Sequence, residues 1–465
     1  MAHRTILTAR QRAALIDLPT DEASILYHYT LSDDDLEHIN ERRRDRNRFG
    51  FALQLCALRY PGRLLASGEV IPPEVTRFLG AQLGLGSDAL AEYATRSETR
   101  RDHLIVLRQA YGFRMFSGHR AHELKAWLAG EAENATTNHD LARRFVDECR
   151  RTRTVLPGIS VIERLCADAL VAAERRIDSA IVARLEEPMK DRLDALLTEM
   201  VEGKVSRFVW LRQFEVGQNS ADASRLLDRL EFLQEINLSP DILTGVPPHR
   251  VTRLQRQGER YFADGLRDIS SDRRLAILAV CAVAWRAALA DAVIETHDRI
   301  VGKTWQGAKK LCDAKIADAK TAVQDTLRAF KSLGAALLDA RSDGASLDQA
   351  TELACGWERL EALVATAAEL TDTMAADPLA HVGQGYHRFR RYAPRMLRAL
   401  DIQAASVTAP LLQASTLIAE DERPEERPVG FLRRGSKWHR HLNAQEEDGH
   451  RLWEVAVLFH LRDAF

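Results

Sequence analysis

Apolar residues along most of the chain recur every three to four positions, which is the spacing of one face of an α-helix. Thr8 can cap a first helix over Ala9–Leu18, which Pro19 stops, and Ser32 followed by three aspartates predicts a second start. Further helices are predicted over about 47–59 and from Pro72 to Gly84. Short helices joined by tight turns are typical of a helix-turn-helix-like bundle.

Longer helices are predicted further along the chain. One runs from Ser160 to about Leu185, and residues 271–341 contain no proline, which predicts two or three long helices packed antiparallel. The best candidate for a strand, Lys204–Phe214, is ambiguous. We therefore predict an all-α fold of several small helix-turn-helix-like bundles followed by long antiparallel helices.

Breaks in the pattern divide the chain into five predicted modules. Residues 131–140 and 420–427 are polar enough to be linkers. The predicted modules are 1–86 (first DNA-binding module), 87–140, 141–245 (a further DNA-binding module), 246–345 (long-helix bundle) and 346–465 (linker and dimerisation region). The helical stripe over 449–465 reaches the last residue without a cap, so we expect further chain beyond it.

Composition narrows the class of protein. None of the six cysteines forms a CxxC pair, so neither a zinc site nor a redox pair is indicated, and reduced thiols predict a cytoplasmic protein. The N-terminus has no apolar segment for secretion. The longest apolar stretch, 275–293, is broken by Arg286 and Asp291, which favours a buried helix over a membrane span.

Motifs for nucleotide binding or metal-dependent hydrolysis are missing from the sequence, which has no P-loop, GxGxxG, HExxH or GxSxG. Glu295, His297 and Asp298 lie together, but helical spacing points them in different directions. We therefore assign no catalytic or metal-binding residue and leave open whether the chain is an enzyme.

Arginine clusters are the candidate binding chemistry. The formal net charge is only −2, yet Arg42, Arg43, Arg44, Arg46 and Arg48 fall within seven residues. Arginine makes bidentate, charge-assisted hydrogen bonds to phosphate, so this run predicts a site for a nucleic-acid backbone. A solvated helix end is the equally favoured alternative.

A second arginine pattern lies on the helix predicted after Pro248. Arg250, Arg253 and Arg256 share one helical face, and we infer a DNA-binding stripe from this spacing. The solvated face of a core helix is the commoner explanation of such a stripe.

Several segments resemble one family in the order of their motifs. The N-terminal set is Tyr27–Leu31, Arg42–Arg44, Asn47–Cys56 and Leu58–Gly62, which includes Arg59. This set resembles the N-terminal signature of the Tn3 family of replicative bacterial transposases. Later segments keep the family order: Arg100–Leu104, Leu156-Pro157, Ile162–Arg164, Asp298–Lys303, Arg390–Pro394 and Trp453–Asp463.

The resemblance implies a DNA-binding role without the chemistry. Members cut and join DNA with an RNase H-like domain whose Asp, Asp and Glu hold two divalent metals, and those residues would lie beyond this chain. No cofactor is therefore expected here, with Mg²⁺ needed only by the missing domain. For this chain the resemblance implies binding of double-stranded DNA at terminal inverted repeats. It also implies protomer pairing, either as a homodimer or with full-length transposase, and a cytoplasmic location in the bacterial nucleoid. A helical interaction protein or truncated competitor of transposition is the alternative.

By position in the family, two groups of residues fall in DNA-binding modules. Arg42, Arg43, Arg44, Asn47 and Arg48 would lie in the first module, and Arg150, Arg151, Arg153 and Thr154 in a later one. Asn47 is the best candidate for reading an adenine edge, because asparagine can bond adenine bidentately. A helix cap is the alternative for Asn47.

Overall fold

The computed structural model describes residues 6–66, 68–86, 89, 93, 97–344, 346–400, 402–403, 408–422, 426–444 and 449–464. Across these residues the chain is almost entirely helical, and its strands form two short two-stranded ladders. The predicted all-α class is confirmed.

Two compact units make up the chain. The first comprises residues 1–185, 242–256 and 269–276, and the second comprises 186–241, 257–268 and 277–465. Three of the five boundaries fall within elements: the 3₁₀ helix Pro240–Leu243 and the helices Pro248–Arg260 and Ser271–Ser342. The five modules predicted from the sequence are finer than this grouping and stay a prediction.

The first unit is a set of helices with one parallel two-residue ladder, in which Arg114–Met115 pairs with Thr154–Val155. The helices that lie wholly within it are Ala9–Ile16, Glu22–Tyr29, Asp33–Asn40, Asp45–Arg59, Pro73–Leu83, Ser97–Tyr111, Gly118–Asn134, Asn138–Arg151 and Ile159–Val182.

Local capping chemistry sets the ends of the early helices as predicted. Thr8 and Ser32 each form a reciprocal capping box, with Gln11 and Asp35 respectively. Gly84 ends Pro73–Leu83 in the left-handed conformation that favours glycine.

The helix Asp45–Arg59 is the centre of the first hydrophobic core. Its residues 49–58 are all buried, so it is surrounded by neighbouring helices on every side. The phenolic O–H of Tyr29 donates to the carbonyl of Tyr60 at 2.8 Å, which ties the helix Glu22–Tyr29 to the end of this one. The N-terminal turn of this helix carries the arginine run and is held in place by the buried segment that follows it.

A second core in the same unit joins Gly118–Asn134, Asn138–Arg151 and Ile159–Val182 through residues such as Leu128 and Phe145. The linker predicted at 131–140 is therefore wrong for most of its length, because only residues 135–137 separate two helices. The side chain of Thr137 caps the second of them, and the acidic residues lie on helical turns rather than in a loop.

The second unit contains the remaining elements. Met200–Val201 pairs antiparallel with Val205–Ser206, and Ser206 then caps a helix, so the strand predicted at 204–214 exists only at its start. The other elements are Glu187–Ala195, Arg207–Arg212, Ser220–Glu235, Ala263–Arg267, Leu347–Ala354, Trp357–Met374, Leu379–Val382, the 3₁₀ helix Gly383–Arg388, Ala393–Ala399, Ala409–Ala419, Lys437–Ala444 and Gly449–Arg462.

One continuous helix of 72 residues, Ser271–Ser342, occupies the segment in which two or three antiparallel helices were predicted. That prediction was wrong, because the segment contains no proline and its glycines, such as Gly302 and Gly334, remain helical in open surroundings. The helix is long and apolar enough to cross a membrane by composition alone, but 56% of its most apolar window is buried within the protein. This burial agrees with the predicted core helix.

The chain returns to the long helix after its end. Cys312 Sγ lies 3.4 Å from the carbonyl oxygen of Ala376, although 64 residues separate the two in sequence. Residues 312–376 therefore form a helical hairpin, which consists of the last part of the long helix, Leu347–Ala354 and Trp357–Met374. The last of these helices has no buried residue.

Candidate nucleic-acid interface

The first arginine run lies at the start of the helix Asp45–Arg59. Arg44 is its N-cap residue and makes no side-chain capping bond, and Arg43 and Arg44 are both exposed. Neither forms an ion pair with a carboxylate of the residues that the structure describes. The positive end of a helix dipole favours anions, so cations placed there are destabilising unless an anion binds.

An open cleft of about 740 Å³ adjoins this helix start. It is lined by Arg44, Asp45 and Arg46 on one side and by residues 84–86 and Ala89 on the other. Because the second wall presents glycine and small or apolar side chains, the positive charge comes from the helix start alone. This arrangement leaves room for an anionic strand along the helix end.

Other members of the run are engaged within the fold. Arg42 pairs with Glu41 at 2.5 Å and lies over the ring of Phe51, 5.1 Å from its centroid. Arg48 donates to the Arg42 carbonyl at 3.1 Å. These contacts shape the turn that presents Arg43 and Arg44.

Arg59 has a structural partner. Its guanidinium forms a bidentate pair with Asp35, at 2.6 and 2.8 Å, and the Asp35 side chain is almost fully buried. Burial opposes ionisation of Asp35, but the Arg59 hydrogen bonds and the Ser32 N–H lower its pKa below the usual value. We therefore leave Arg59 out of the candidate surface.

Asn47 lies in the first turn of the helix rather than at its cap, since the N-cap is Arg44. The alternative of a capping role for Asn47 therefore does not hold. Its side chain is half-buried, and reading of a base edge by Asn47 stays a prediction.

The second arginine group lies where Asn138–Arg151 ends and the strand Thr154–Val155 begins. Arg150 is half-buried and donates to the carbonyls of Pro61 (2.8 Å) and Leu15 (3.1 Å) while lying over the Tyr60 ring. Thr154 is buried, and its hydroxyl accepts a bond from Arg120. These two side chains hold the unit together, so they are poorly placed to contact DNA.

Arg151 and Arg153 are the exposed members of this group. Arg151 is 72% exposed and pairs with Glu148, one turn back on its helix. Arg153 has a positive φ of 49° and donates to the Tyr111 carbonyl at 2.8 Å. Its carbonyl accepts from Arg114 N–H at 2.9 Å.

The ladder adds Arg114, an exposed arginine that the sequence pattern did not reveal. The strand register places Arg114 opposite Thr154, so its side chain lies beside the Arg153 segment. No local pattern signals this neighbour, because strand pairing joins two distant parts of the chain.

The third group, on Pro248–Arg260, does not form the continuous stripe that its spacing predicted. Arg250 is 3% exposed and donates to the carbonyls of Ala132 (2.6 Å) and Ala135 (3.2 Å). Arg253 pairs with Glu174 at 2.8 Å. Only Arg256 of the three is exposed without an ion pair among the described residues.

No cluster of three or more histidine, cysteine or acidic side chains within the described ranges is placed to hold a metal ion. The buried His297, which lies beside Glu295 and Asp298 in sequence, instead contacts the Tyr392 hydroxyl and the Leu458 carbonyl at 2.9 and 3.0 Å. Desolvation lowers its pKa to about 4, so it is neutral and structural.

The geometry defines a helical protein whose N-terminal unit presents exposed arginines at a helix start and beside a short ladder. Residues 6–169, which include both groups, match a family model described as a domain of unknown function, DUF4158. The whole chain is 32% identical to the transposase for transposon Tn3926 of Escherichia coli, and 30% identical to the transposases for Tn21 of Escherichia coli and Tn501 of Pseudomonas aeruginosa. Each alignment covers 100% of this chain and 47% of the relative.

The predicted resemblance to Tn3-family transposases is confirmed, because similarity to such transposases covers the whole chain. It spans about half the length of the curated relatives that it matches.

Proposed function

We propose that this chain acts in DNA transposition as the part that binds the terminal inverted repeats of a transposon. The observation that carries the proposal is similarity to transposases along the whole chain. The geometry supports it, because Arg43 and Arg44 are exposed at the positive end of a helix without an acidic partner in the described part of the chain. A DNA backbone supplies the anion that such a site lacks.

Phosphate contacts would position the chain, and base contacts would give specificity. Arg43 and Arg44 beside the cleft form the first contact surface, and Arg114, Arg151 and Arg153 form the second. Two surfaces on one unit bind more tightly than either alone, because the second contact is intramolecular.

The test is fluorescence anisotropy with duplexes selected by the protein from a randomised pool, compared with scrambled duplexes. If six to ten phosphates are contacted, affinity falls by about three to five decades between roughly 50 and 200 mM salt. The double variant Arg43→Ala/Arg44→Ala should weaken binding. It should also lower the salt slope, which is the steepness of log affinity plotted against log salt concentration, by about 1 to 2.

A matched control removes the same charge elsewhere. Arg390 and Arg398 are exposed residues of the second unit outside the helical hairpin, and Arg390→Ala/Arg398→Ala should leave the slope unchanged. Circular dichroism should show equal helix content in all proteins. Salt-independent binding, or equal weakening in both double variants, would reject the proposed surface.

We also propose that protomers pair through the helical hairpin 312–376. Large apolar side chains are exposed along it, including Leu327 (63%), Leu338 (65%) and Leu353 (87%). Several large, exposed apolar side chains on one segment are typical of an interaction site. A second copy of the chain is the proposed partner.

Sedimentation velocity tests this pairing. The wild type should sediment as a dimer, and Leu338→Glu/Leu353→Glu should sediment as a monomer, because charges in an apolar interface are costly to desolvate. The control Leu26→Glu/Val171→Glu places the same charges at exposed apolar positions of the first unit and should stay dimeric. A monomeric wild type would contradict the pairing proposal without bearing on DNA binding.

A further inference from the structure

A basic pocket lies in the second unit, and none of its described lining residues belongs to the arginine groups described above. It measures about 670 Å³ and is formed by the start of Ser220–Glu235, the middle of the long helix and the 3₁₀ helix Gly383–Arg388. The cationic side chains that line it are Lys303, Lys310 and Arg388. No aspartate or glutamate is among its lining residues in the described part of the chain.

Two of the three cations lie close together because of their spacing along the long helix, and Arg388 is added from the 3₁₀ helix Gly383–Arg388. Lys303, Gly307 and Lys310 are four and three residues apart, so they lie on one helical face with the glycine between the two lysines. Glycine is the poorest helix former after proline, and here its missing side chain leaves the floor of the pocket open. Arg388 Nη1 lies 4.0 Å from the point where a Cβ of Gly307 would be.

Arg388 lies in the pocket without a charged partner among the residues that the structure describes. Its side chain is half-buried, and its one described polar contact is a long one, 3.5 Å from Nη1 to the Thr304 hydroxyl. That hydroxyl already donates to the Ile300 carbonyl at 2.9 Å. A half-buried guanidinium whose donors are mostly unused is expected to gain from an oxyanion ligand.

The rim of the pocket is fixed in place. Lys303 Nζ contacts the side-chain and backbone oxygens of Gln218 at 2.9 and 3.2 Å. The N–H of Gly217 donates to Thr296 at 2.9 Å, and that of Gln218 donates to Asp222 at 2.8 Å. The turn before Ser220–Glu235 is thus tied to the long helix, so the cations face a preformed concave wall.

We infer that this pocket binds a phosphate group of a DNA backbone, as a further and sequence-independent contact. The inference rests on the proposed DNA-binding function and adds a ligand site in the other unit. Three cations with no acidic side chain among the described lining residues favour an anion, and guanidinium and ammonium groups donate charge-assisted hydrogen bonds to phosphate oxygens. No phenylalanine, tyrosine or tryptophan is among the lining residues in the described part of the chain, so the walls offer no large ring on which a free nucleotide base would stack.

Two kinds of variant test the pocket by anisotropy with a duplex of arbitrary sequence. Lys310→Gln/Arg388→Gln removes charge, and its control Lys309→Gln/Arg390→Gln removes the same charge from exposed neighbours outside the pocket. Removal of one phosphate interaction should lower the log–log salt slope by about 0.9 and the affinity near 100 mM salt roughly eightfold. The control should behave as the wild type.

A charge-neutral variant separates the pocket from general electrostatics. Gly307→Leu fills the floor, whereas Gly130→Leu places the same side chain in open surroundings on another helix, Gly118–Asn134. Only Gly307→Leu should weaken binding.

The outcomes are distinct. If the wild type binds duplex and the pocket variants bind equally well, this inference is wrong and the proposed function stands. If the wild type binds no duplex, both fail. If inorganic phosphate raises the melting temperature of the wild type but not of Gly307→Leu at equal ionic strength, while duplex binding is equal in both, the pocket serves a free anion and the assignment to DNA is overturned.

Discussion

Arg250 provides the sharpest test of how the arginines of this chain divide between structure and binding. Its spacing with Arg253 and Arg256 predicted contact with DNA, yet its side chain is 3% exposed. It donates to carbonyl oxygens at the end of Gly118–Asn134, where a helix leaves its last carbonyls without intrahelical partners. We therefore expect Arg250→Met to act on stability rather than on binding.

The magnitude follows from the contacts. The bonds to the carbonyls of Ala132 and Ala135, at 2.6 and 3.2 Å, are close enough to be full hydrogen bonds, whereas the bond to the Glu133 carbonyl, at 3.5 Å, contributes little. The ion pair with Glu174, at 3.4 Å, is longer than the one that Glu174 makes with Arg253. Glu174 keeps Arg253 at 2.8 Å after the change. Two charge-assisted bonds at about 1.5 kcal/mol each, with methionine replacing much of the packing, give a decrease in stability of about 3 kcal/mol.

Urea unfolding followed by circular dichroism measures this decrease, and anisotropy on the folded protein measures binding. Arg256→Met is the matched control, because Arg256 is exposed and has no ion pair among the described residues, so its stability should change by less than about 0.5 kcal/mol. If the Arg250→Met protein were as stable as the wild type but had a reduced salt slope for DNA binding, the structural role of Arg250 would be refuted. The predicted DNA-binding stripe of Arg250, Arg253 and Arg256 would then be supported.

Two further predictions concern buried ionisable groups. Asp35→Ala should destabilise the first unit by about 3 kcal/mol, because it leaves the half-buried guanidinium of Arg59 without its carboxylate partner. Asp33→Ala, at an exposed position, should not. Thermal unfolding distinguishes the two variants, and equal melting temperatures would contradict the stabilising role of the Asp35–Arg59 ion pair. Burial lowers the pKa of His297 from its usual value of 6.5 to about 4. As the pH falls below 6.5, His297 therefore binds a proton in the unfolded chain but stays neutral in the folded protein. The free energy of unfolding should therefore drop by about 2 kcal/mol between pH 7 and pH 5, and His297→Gln should remove that part of the pH dependence in denaturant titrations.

Helix starts could be predicted from the sequence because the interactions that set them are local. Thr8 and Ser32 bond to residues three positions away, so the pattern and the contact lie in the same short window. The continuity of Ser271–Ser342 was not predictable in this way. Its Gly302, Gly307 and Gly334 weaken helical propensity, but nothing near them forces a turn, and packing of the apolar first part keeps the helix intact.

The roles of the arginines were less predictable because their partners are remote. Arg59 meets Asp35 across 24 residues, and Arg250 meets the Ala132 carbonyl across 118. Spacing on one helix shows which side chains share a face, but whether that face meets solvent or another helix depends on the rest of the fold. Arg114 shows the converse, since a strand pairing brings it beside Arg153.

The cost of releasing each arginine from its present partner ranks the candidates for DNA contact. A guanidinium bound to a buried carboxylate or to buried carbonyls cannot turn to a phosphate without leaving an unpaired polar group, which excludes Arg59 and Arg250. A surface pair such as Arg151 with Glu148 is exchanged for a phosphate at little cost. Arg43 and Arg44 have no ion pair to give up among the described residues, and the dipole of their helix adds to the attraction for an anion. Affinity should therefore depend most on the residues whose removal disturbs the fold least.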